Sequence, residues 1–544
     1  MSKFKIYFST LLVVVFLSCS DNKEISATES PYINLTASNP KAIDFYRKAN
    51  LHLSENEYSE AKESFLSALR LDPNMPMALL NINESNTNLS NNYRQRAISK
   101  FNSANKFEKL YIEWDTLNGS DFIKRQEIAK RVIELYPDKV DGYFMLASSL
   151  QRGYRSPERI KILEKILEID PNNARAQDLH IRGNFRGQDR VISLKNNVDF
   201  YNSFDAKAQV ILKKFPNSLS VLSMIASRYK VAYNFSDEKR FQKANDIYQK
   251  CLKIVDERGS TFKVNLLREI AHLNLVMGKN DEAFEYLNSA IKIAGDSDQI
   301  IGSHVNLFLF YIYLGDYLSC VGELNKFENQ FENYGFTEEE ILKCLVGVNY
   351  IKSIIYAHAN QREKSQQSFE EYKKNSEKLI QFYGLESDVS KKIAQISGNN
   401  SIMWKEASPI SQIRNEIWIN TIVGNFEKSN ELQSKMKDLF GYRIDFLDGI
   451  KNVLEGNSID GYKILQSNRT AYVRYFKAQA LIGMGEIEKA KSVLDTVRQL
   501  PGLIFQEDLV IKRSSELYKS LQILNNEKNI FDNNCPFYNY TNRL

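Results

Sequence analysis

Apolar residues recur at every third or fourth position over most of the chain, in blocks separated by short polar breaks. In the first block the apolar positions are Phe45, Ala49 and Leu53. A polar break at 55–57 follows, and the next block contains Tyr58, Ala61, Phe65, Ala68 and Leu69. Such spacing places the apolar residues on one face of a helix. The Asp-Pro-Asn sequence at 72–74 ends the second block, because proline cannot continue a helix. The pattern therefore predicts two helices joined by a tight turn.

The sizes of the apolar residues indicate how these two helices pack. Ala49 and Ala61 are small, which allows two antiparallel helices to approach closely where they cross. Phe65 is large enough to fill the space towards the next helix, and Ala68 leaves room for the following pair. One helix pair cannot bury its own apolar face, so the pair needs neighbours.

The same spacing recurs further along the chain, which has 544 residues. The matching positions are Ala271, Ala283, Leu287 and Ala290, then Ala478, Ala490, Leu494 and Val497, with less regular copies at 140–173 and 301–333. This pattern resembles the tetratricopeptide repeat (TPR), a helix-turn-helix unit of 34 residues. The resemblance implies an all-α fold, a TPR-like α-solenoid of stacked antiparallel helix pairs that forms a right-handed superhelix. Its first helices would line a concave groove.

The repeat pattern divides the chain into predicted regions. An N-terminal TPR-like array is predicted at 40–383 and a C-terminal array at 410–526, with a final capping helix at 509–524. The stretch at 384–409 is rich in Ser, Gly and Asn and predicts an irregular boundary segment. The remaining 527–544 form a tail.

The N-terminus carries an export signal. Lys3 and Lys5 precede a mostly apolar run at 6–17, which as a helix would rise only about 18 Å, too short for a bilayer core of about 30 Å. Such a run is typical of a signal peptide, here 1–18. Ser18-Cys19 then resembles the lipobox of bacterial lipoproteins, although Phe16 departs from its usual aliphatic residue. The resemblance implies lipidation of Cys19 and a flexible tether at 19–39. Cleavage near Ser18 without lipid is the alternative.

Charge and motifs favour binding over catalysis. The formal net charge is +5, with 72 basic and 67 acidic residues, which is too balanced for an electrostatic nucleic-acid binder. No metal-binding or nucleophile motif stands out, and Gly483-Met484-Gly485 is interpreted as a turn between helices. Cys251 and Cys320 occupy positions typical of buried thiols. Disulfides among these two, Cys344 and Cys535 remain open. We therefore predict no catalytic residues, metal site or cofactor.

The repeat alignment also predicts which side chains face the groove. They are Tyr46, Asn50, Phe144, Arg268, His272, Tyr475 and Gln479. The family's carboxylate clamp of Lys, Asn and Arg is not reproduced, so recognition of a peptide C-terminus is not expected.

The combined patterns predict a membrane-anchored scaffold lipoprotein of Bacteroidota-like type. It would mediate protein–protein or protein–peptide interaction in the bacterial cell envelope, with the outer membrane as the expected location, facing the periplasm or the cell surface. The alternatives are a nutrient or glycan-capture lipoprotein of SusD-like type and, with least support, an enzyme with an unrecognised site.

Overall fold

The computed structural model describes most of the chain, in nine stretches. These are residues 30–82, 87–117, 121–150, 157–185, 197–231, 238–383, 408–468, 470–498 and 505–527. The predicted signal peptide, Cys19 and residues 528–544 of the tail lie outside the described residues. So does most of the predicted boundary segment, at 384–407.

The described residues form 25 α-helices and no β-strand. The helices are α1 (Pro40–Ser54), α2 (Tyr58–Leu71), α3 (Pro76–Asn81), α4 (Thr87–Ser99), α5 (Lys106–Thr116), α6 (Phe122–Leu135), α7 (Val140–Ser149), α8 (Pro157–Ile169), α9 (Ala174–Phe185), α10 (Asn197–Lys214), α11 (Leu219–Val231), α12 (Glu238–Arg258), α13 (Lys263–Val276), α14 (Asn280–Ile293), α15 (Ser297–Leu314), α16 (Tyr317–Glu328), α17 (Glu338–His358), α18 (Arg362–Phe382), α19 (Pro409–Ile422), α20 (Phe426–Phe440), α21 (Asp445–Leu454), α22 (Ser458–Leu465), α23 (Ala471–Gly483), α24 (Ile487–Arg498) and α25 (Phe505–Glu527).

The helices pack as stacked pairs, as the repeat spacing predicts. Ala49 of α1 and Ala61 of α2 are 0% and 1% exposed, and the two helices pack along their lengths. The equivalent alanines of the later pairs, Ala271, Ala283, Ala478 and Ala490, are also buried. The all-α fold of TPR-like helix pairs is therefore confirmed.

The turns inside the pairs need residues that tolerate a positive φ. Gly315, between α15 and α16, has φ of 73°, a conformation that only glycine adopts without a steric penalty. Between α1 and α2 the corresponding residue is Asn56, with φ of 62°. Asparagine is the residue that most readily replaces glycine there, which explains why the first pair turns without a glycine.

The N-terminal pairs curve back on themselves. First helices of successive pairs lie side by side, and α1 also contacts α9. In addition, the turn after α1 contacts the segment before α11: Glu55 accepts hydrogen bonds from Ser218 Oγ (3.1 Å) and the Ser220 backbone (3.3 Å). Glu60 accepts two more, from the backbone and hydroxyl of Thr261 (2.6 and 2.8 Å). The first pair is therefore fixed against much later pairs.

Residues 297–527, here called the C-terminal array, share one hydrophobic core. Buried residues from Ile300 to Leu521 form a single cluster that includes Tyr372 before the predicted boundary segment and Trp418 after it. The helices on the two sides of that segment therefore do not form separate packing units. The predicted capping helix is present as α25. It packs on α24, as predicted, and reaches across to α15.

Close packing of α21 and α22 depends on glycine. A Cβ atom at Gly461 would lie 2.6 Å from Val453 Cγ2 and 3.0 Å from the Gly449 carbonyl oxygen. We expect Gly461→Ala to lower the free energy of unfolding by about 1–3 kcal/mol, because backbone must move. In contrast, a Cβ at Gly322 in α16 would meet no atom within 4 Å. Gly322→Ala should therefore raise stability by about 0.5–1 kcal/mol. Urea unfolding that gives both variants the same sign would contradict this packing.

Among the described residues, no helix is both long and apolar enough to cross a membrane.

Candidate functional site

Residues 30–38, here called the strap, lie in an extended conformation across the N-terminal helix pairs. Carboxylates from three successive pairs hold the strap by accepting its backbone N–H groups: Ser38 donates to Asp72 (2.7 Å), Thr36 to Glu108 (2.8 Å) and Ile33 to Asp141 (2.8 Å). The carboxylates of Glu108 and Asp141 come from the first turns of α5 and α7. The strap thus crosses the N-terminal ends of first helices, one contact per pair.

Further hydrogen bonds hold the other side of the strap backbone. The Val140 N–H donates to the Pro31 carbonyl (2.9 Å), and Asn105 Nδ2 donates to the Asn34 carbonyl (3.2 Å). The only strap side chain with a printed bond to a helix pair is Tyr32, whose hydroxyl accepts from Asn173 Nδ2 (3.0 Å). Recognition therefore uses mainly the strap backbone, the mode by which extended peptides bind along a surface.

The side chains of the strap alternate between the helices and solvent. Ile33 is 6% exposed and belongs to the core with Met77 and Phe107, while Leu35 packs against the same core. The intervening residues Asn34 and Thr36 are exposed. This arrangement differs from the flexible tether predicted for 19–39, because the apolar residues at 33, 35 and 37 find a surface to cover.

Behind the strap, the predicted groove residues of the N-terminal pairs pack into a closed interior. Tyr46 contacts Phe65 with ring centroids 5.6 Å apart, and burial raises the pKa of Tyr46 well above its usual value. Asn50 donates its side-chain N–H to the Tyr46 carbonyl (3.0 Å). Phe144 lies beneath the guanidinium of Arg175, 5.0 Å from the ring centroid. All three predicted residues are thus at least partly occupied by contacts within the chain.

The predicted pair Arg268 and His272 lies on α13, in a polar cluster with α11 and α12. Lys230 Nζ donates to Glu269 Oε2 (2.6 Å) and lies 3.0 Å from His272 Nδ1. Tyr248 also donates to Glu269 (3.0 Å). Burial alone would raise the pKa of Glu269, but the positive charge and hydrogen bond of Lys230 outweigh it. With help from His272 and Tyr248, they lower the pKa to about 2.

Arg268 depends on a glycine in the next pair. A Cβ atom at Gly302 of α15 would lie 2.7 Å from Arg268 Nη1, so the guanidinium packs directly on the α15 backbone. Arg268 also donates to Asn265 Oδ1 (3.1 Å). Arg268, His272 and Glu269 are each half-buried. They form the predicted groove surface that neither the strap nor α25 is seen to contact.

At the C-terminal end the predicted residues lie beneath α25. Tyr475 is 7% exposed and pairs with the Gln479 side chain, and burial raises the pKa of Tyr475. Arg513 of α25 reaches past them to the end of α17, where it donates to the carbonyl of His358 (2.6 Å). The final helix of the chain therefore covers the surface that the repeat alignment assigns to a partner.

Several residues that hold the strap could not be identified from the repeat alone. Asp72 follows α2, and Glu108, Asp141 and Asn173 lie at the starts of α5, α7 and α9. In sequence each is an ordinary residue for a helix start, where negative charge and caps are favoured. The available signal was the alternation of apolar residues at 33, 35 and 37, typical of an extended segment with one buried side.

The described residues offer little for catalysis. Cys251, Cys320 and Cys344 are buried free thiols, and burial raises the pKa of Cys251 to about 12, which leaves it protonated and a poor nucleophile. Among the described residues no three His, Cys, Asp or Glu side chains come together as metal ligands. Cys535 and Cys19 are outside the described residues.

Comparison with known proteins gives a family match and structural likenesses. Residues 45–75 match the tetratricopeptide repeat family, a span that covers most of α1 and all of α2. One similar solved structure is the crystal structure of the APC/C hetero-tetramer Cut9-Hcn1. It has 13% sequence identity and a TM-score of 0.37, covering 88% of this chain and 76% of that chain. Another is the crystal structure of yeast Tom70, with 14% identity and a TM-score of 0.25, covering 89% of this chain and 96% of that chain.

Proposed function

We propose that this chain is a lipid-anchored, non-catalytic scaffold that binds protein or peptide partners in the bacterial cell envelope. The observation that supports this most directly is the strap. A surface of the N-terminal helix pairs already binds a stretch of extended polypeptide, through side-chain acceptors repeated once per pair. Stacked repeats place such acceptors at regular intervals, which suits them to extended partners.

The anchor part of the proposal rests on the N-terminal sequence. A short positive start, an apolar run and Ser18-Cys19 have the order of a lipoprotein signal. Several acyl chains on Cys19 would hold the repeats at a membrane, because each buried methylene adds about 0.8 kcal/mol of binding free energy. The partner would then be met at the membrane surface.

The test is recovery of the chain from native membranes, with bound proteins identified by mass spectrometry. Wild type should fractionate with membranes and carry a reproducible protein partner, whereas Cys19→Ala should lose the membrane fraction. Cys19→Ala that stays in the membrane would contradict the anchor. Repeated recovery of wild type without any partner would contradict the scaffold.

A second comparison locates the partner surface. Arg268→Gln alters the half-buried central cluster, while Glu285→Gln alters an exposed position on α14, the second helix of the same pair. We expect Arg268→Gln to reduce partner recovery about tenfold, the loss expected for an interface arginine worth about 1.4 kcal/mol. Glu285→Gln should recover the partner normally. Equal recovery with both variants would place the partner elsewhere on the chain.

A further inference from the structure

The strap is held in a way that does not depend on most of its side chains. Its contacts to Asp72, Glu108 and Asp141 are made by backbone N–H groups. Any extended peptide presents the same backbone donors at the same intervals, except where proline removes one. The carboxylates therefore constitute a receptor for a peptide backbone, in which the strap is one possible ligand.

The apolar contacts add a simple selectivity. Ile33 enters the core beside Phe107, and Leu35 and Ala37 pack at its edge. A fitting peptide thus needs apolar or small residues at alternate positions. The receptor side chains are carboxylates, so acidic residues nearby would be repelled. The strap, from Ser30 to Ser38, contains no charged residue, in keeping with both requirements.

The fold of the first pair does not require the strap. Asn39 caps α1 with its own side chain, which accepts from the Lys41 N–H (3.0 Å), and α1 packs on α2 through Ala49 and Ala61. Of the strap itself, Ile33 is the only fully buried residue. Fixing the strap costs conformational entropy that offsets much of this burial. The helix pairs can therefore remain folded when the strap leaves.

We propose that the strap is an intramolecular ligand that blocks a peptide-binding groove on α3, α5 and α7. When the strap is displaced, the groove binds an extended partner peptide that is uncharged or basic and has apolar residues at alternate positions. This inference deepens the proposed scaffold function and rests on it. The strap lowers the apparent affinity of the groove in proportion to the fraction of time that it occupies the site.

The experiment compares two double variants of the full chain that change the same strap. Ile33→Gln with Leu35→Gln alters the side facing the helices, and Asn34→Gln with Thr36→Gln alters the exposed side. The probe is a fluorescein-labelled synthetic peptide with the sequence of residues 29–39, titrated by anisotropy. We expect it to bind the inward double variant about tenfold or more tightly than wild type or the outward variant. A probe with glutamine at both apolar positions should not bind.

The outcomes separate the possibilities. Equal binding to wild type and the inward variant, or no binding to an inward variant whose circular dichroism matches wild type, would overturn the proposal. A wild-type dimer that dissociates when the peptide is added would assign the groove to the strap of a second copy, and would also overturn it. If the inward variant recovers the envelope partner but binds no peptide, this inference fails while the proposed function stands.

A measurement on wild type covers the case in which the inward variant does not fold. Excess peptide should displace the strap, so that the amides of Ile33, Thr36 and Ser38 lose protection from hydrogen exchange. Unchanged protection at millimolar peptide would overturn the proposal.

Discussion

Replacing Phe327 with alanine is expected to lower the free energy of unfolding of the C-terminal array by about 3–5 kcal/mol. Phe327 of α16 is 0% exposed. Its ring centroid lies 4.4 Å from that of His304, 5.0 Å from Phe331 and 5.8 Å from Phe308. These rings come from α15, α16 and the segment that follows, and none of them can move into the vacated space without losing its own contacts. The substitution therefore removes apolar burial and leaves a cavity.

Urea unfolding followed by circular dichroism measures this effect, and hydrogen exchange assigns it to the helices involved. Phe440→Ala is the matched control, because Phe440 is 38% exposed at the end of α20. That variant should change stability by less than about 1 kcal/mol. Faster exchange confined to the C-terminal array is expected for Phe327→Ala. A loss similar to that of Phe440→Ala would mean that the aromatic cluster rearranges to fill the cavity.

The repeat positions could be predicted because they obey a local rule. Ala49, Ala61 and Phe65 are set by the need of two adjacent helices to cross closely and to cover the next pair, and all three are buried. The same holds where the rule is satisfied less typically: Cys320 takes a small-residue position and is 0% exposed. Contacts between neighbours in sequence carry this information, so a single chain displays it openly.

Closure of the chain on itself could not be predicted in the same way. Whether Glu60 meets Thr261, or α25 meets α15, depends on small rotations between successive pairs that accumulate along the array. No individual residue encodes that sum. The groove surface was therefore predicted correctly at Tyr475 as the inner face of a first helix. What covers that face, Arg513 and its helix, was not.

The strap shows the opposite case, a local pattern too short to interpret alone. Three apolar residues at alternate positions, Ile33, Leu35 and Ala37, occur by chance in many polar segments. Their meaning comes from carboxylates up to 108 residues away, such as Asp141, which accepts the Ile33 N–H. Those carboxylates already have a sufficient local role at helix starts. Only the folded arrangement gives them a second one.

The C-terminal array should also be sensitive to acid, because His304 is buried without a charged partner. Its exposure is 5%, its Nε2 lies 2.9 Å from the Tyr334 hydroxyl, and burial lowers its pKa to about 4. In the unfolded chain a histidine takes up a proton near pH 6.5. Between these two values the unfolded state binds a proton that the folded state does not. Stability is therefore fully present above about pH 6.5 and is lost as the pH falls towards 4.

The loss assigned to His304 is about 1.4 kcal/mol per pH unit in this window, or about 2–3 kcal/mol between pH 7 and pH 4.5. His304→Phe removes the titrating group and keeps a ring beside Phe327, while the Tyr334 hydroxyl retains its hydrogen bond to Gln330. Urea unfolding of both proteins at the two pH values isolates the effect, because every other titrating group is shared. We expect wild type to lose about 2–3 kcal/mol more than the variant. Parallel losses would show that His304 is protonated in the folded protein, which requires the aromatic cluster to admit water at that ring.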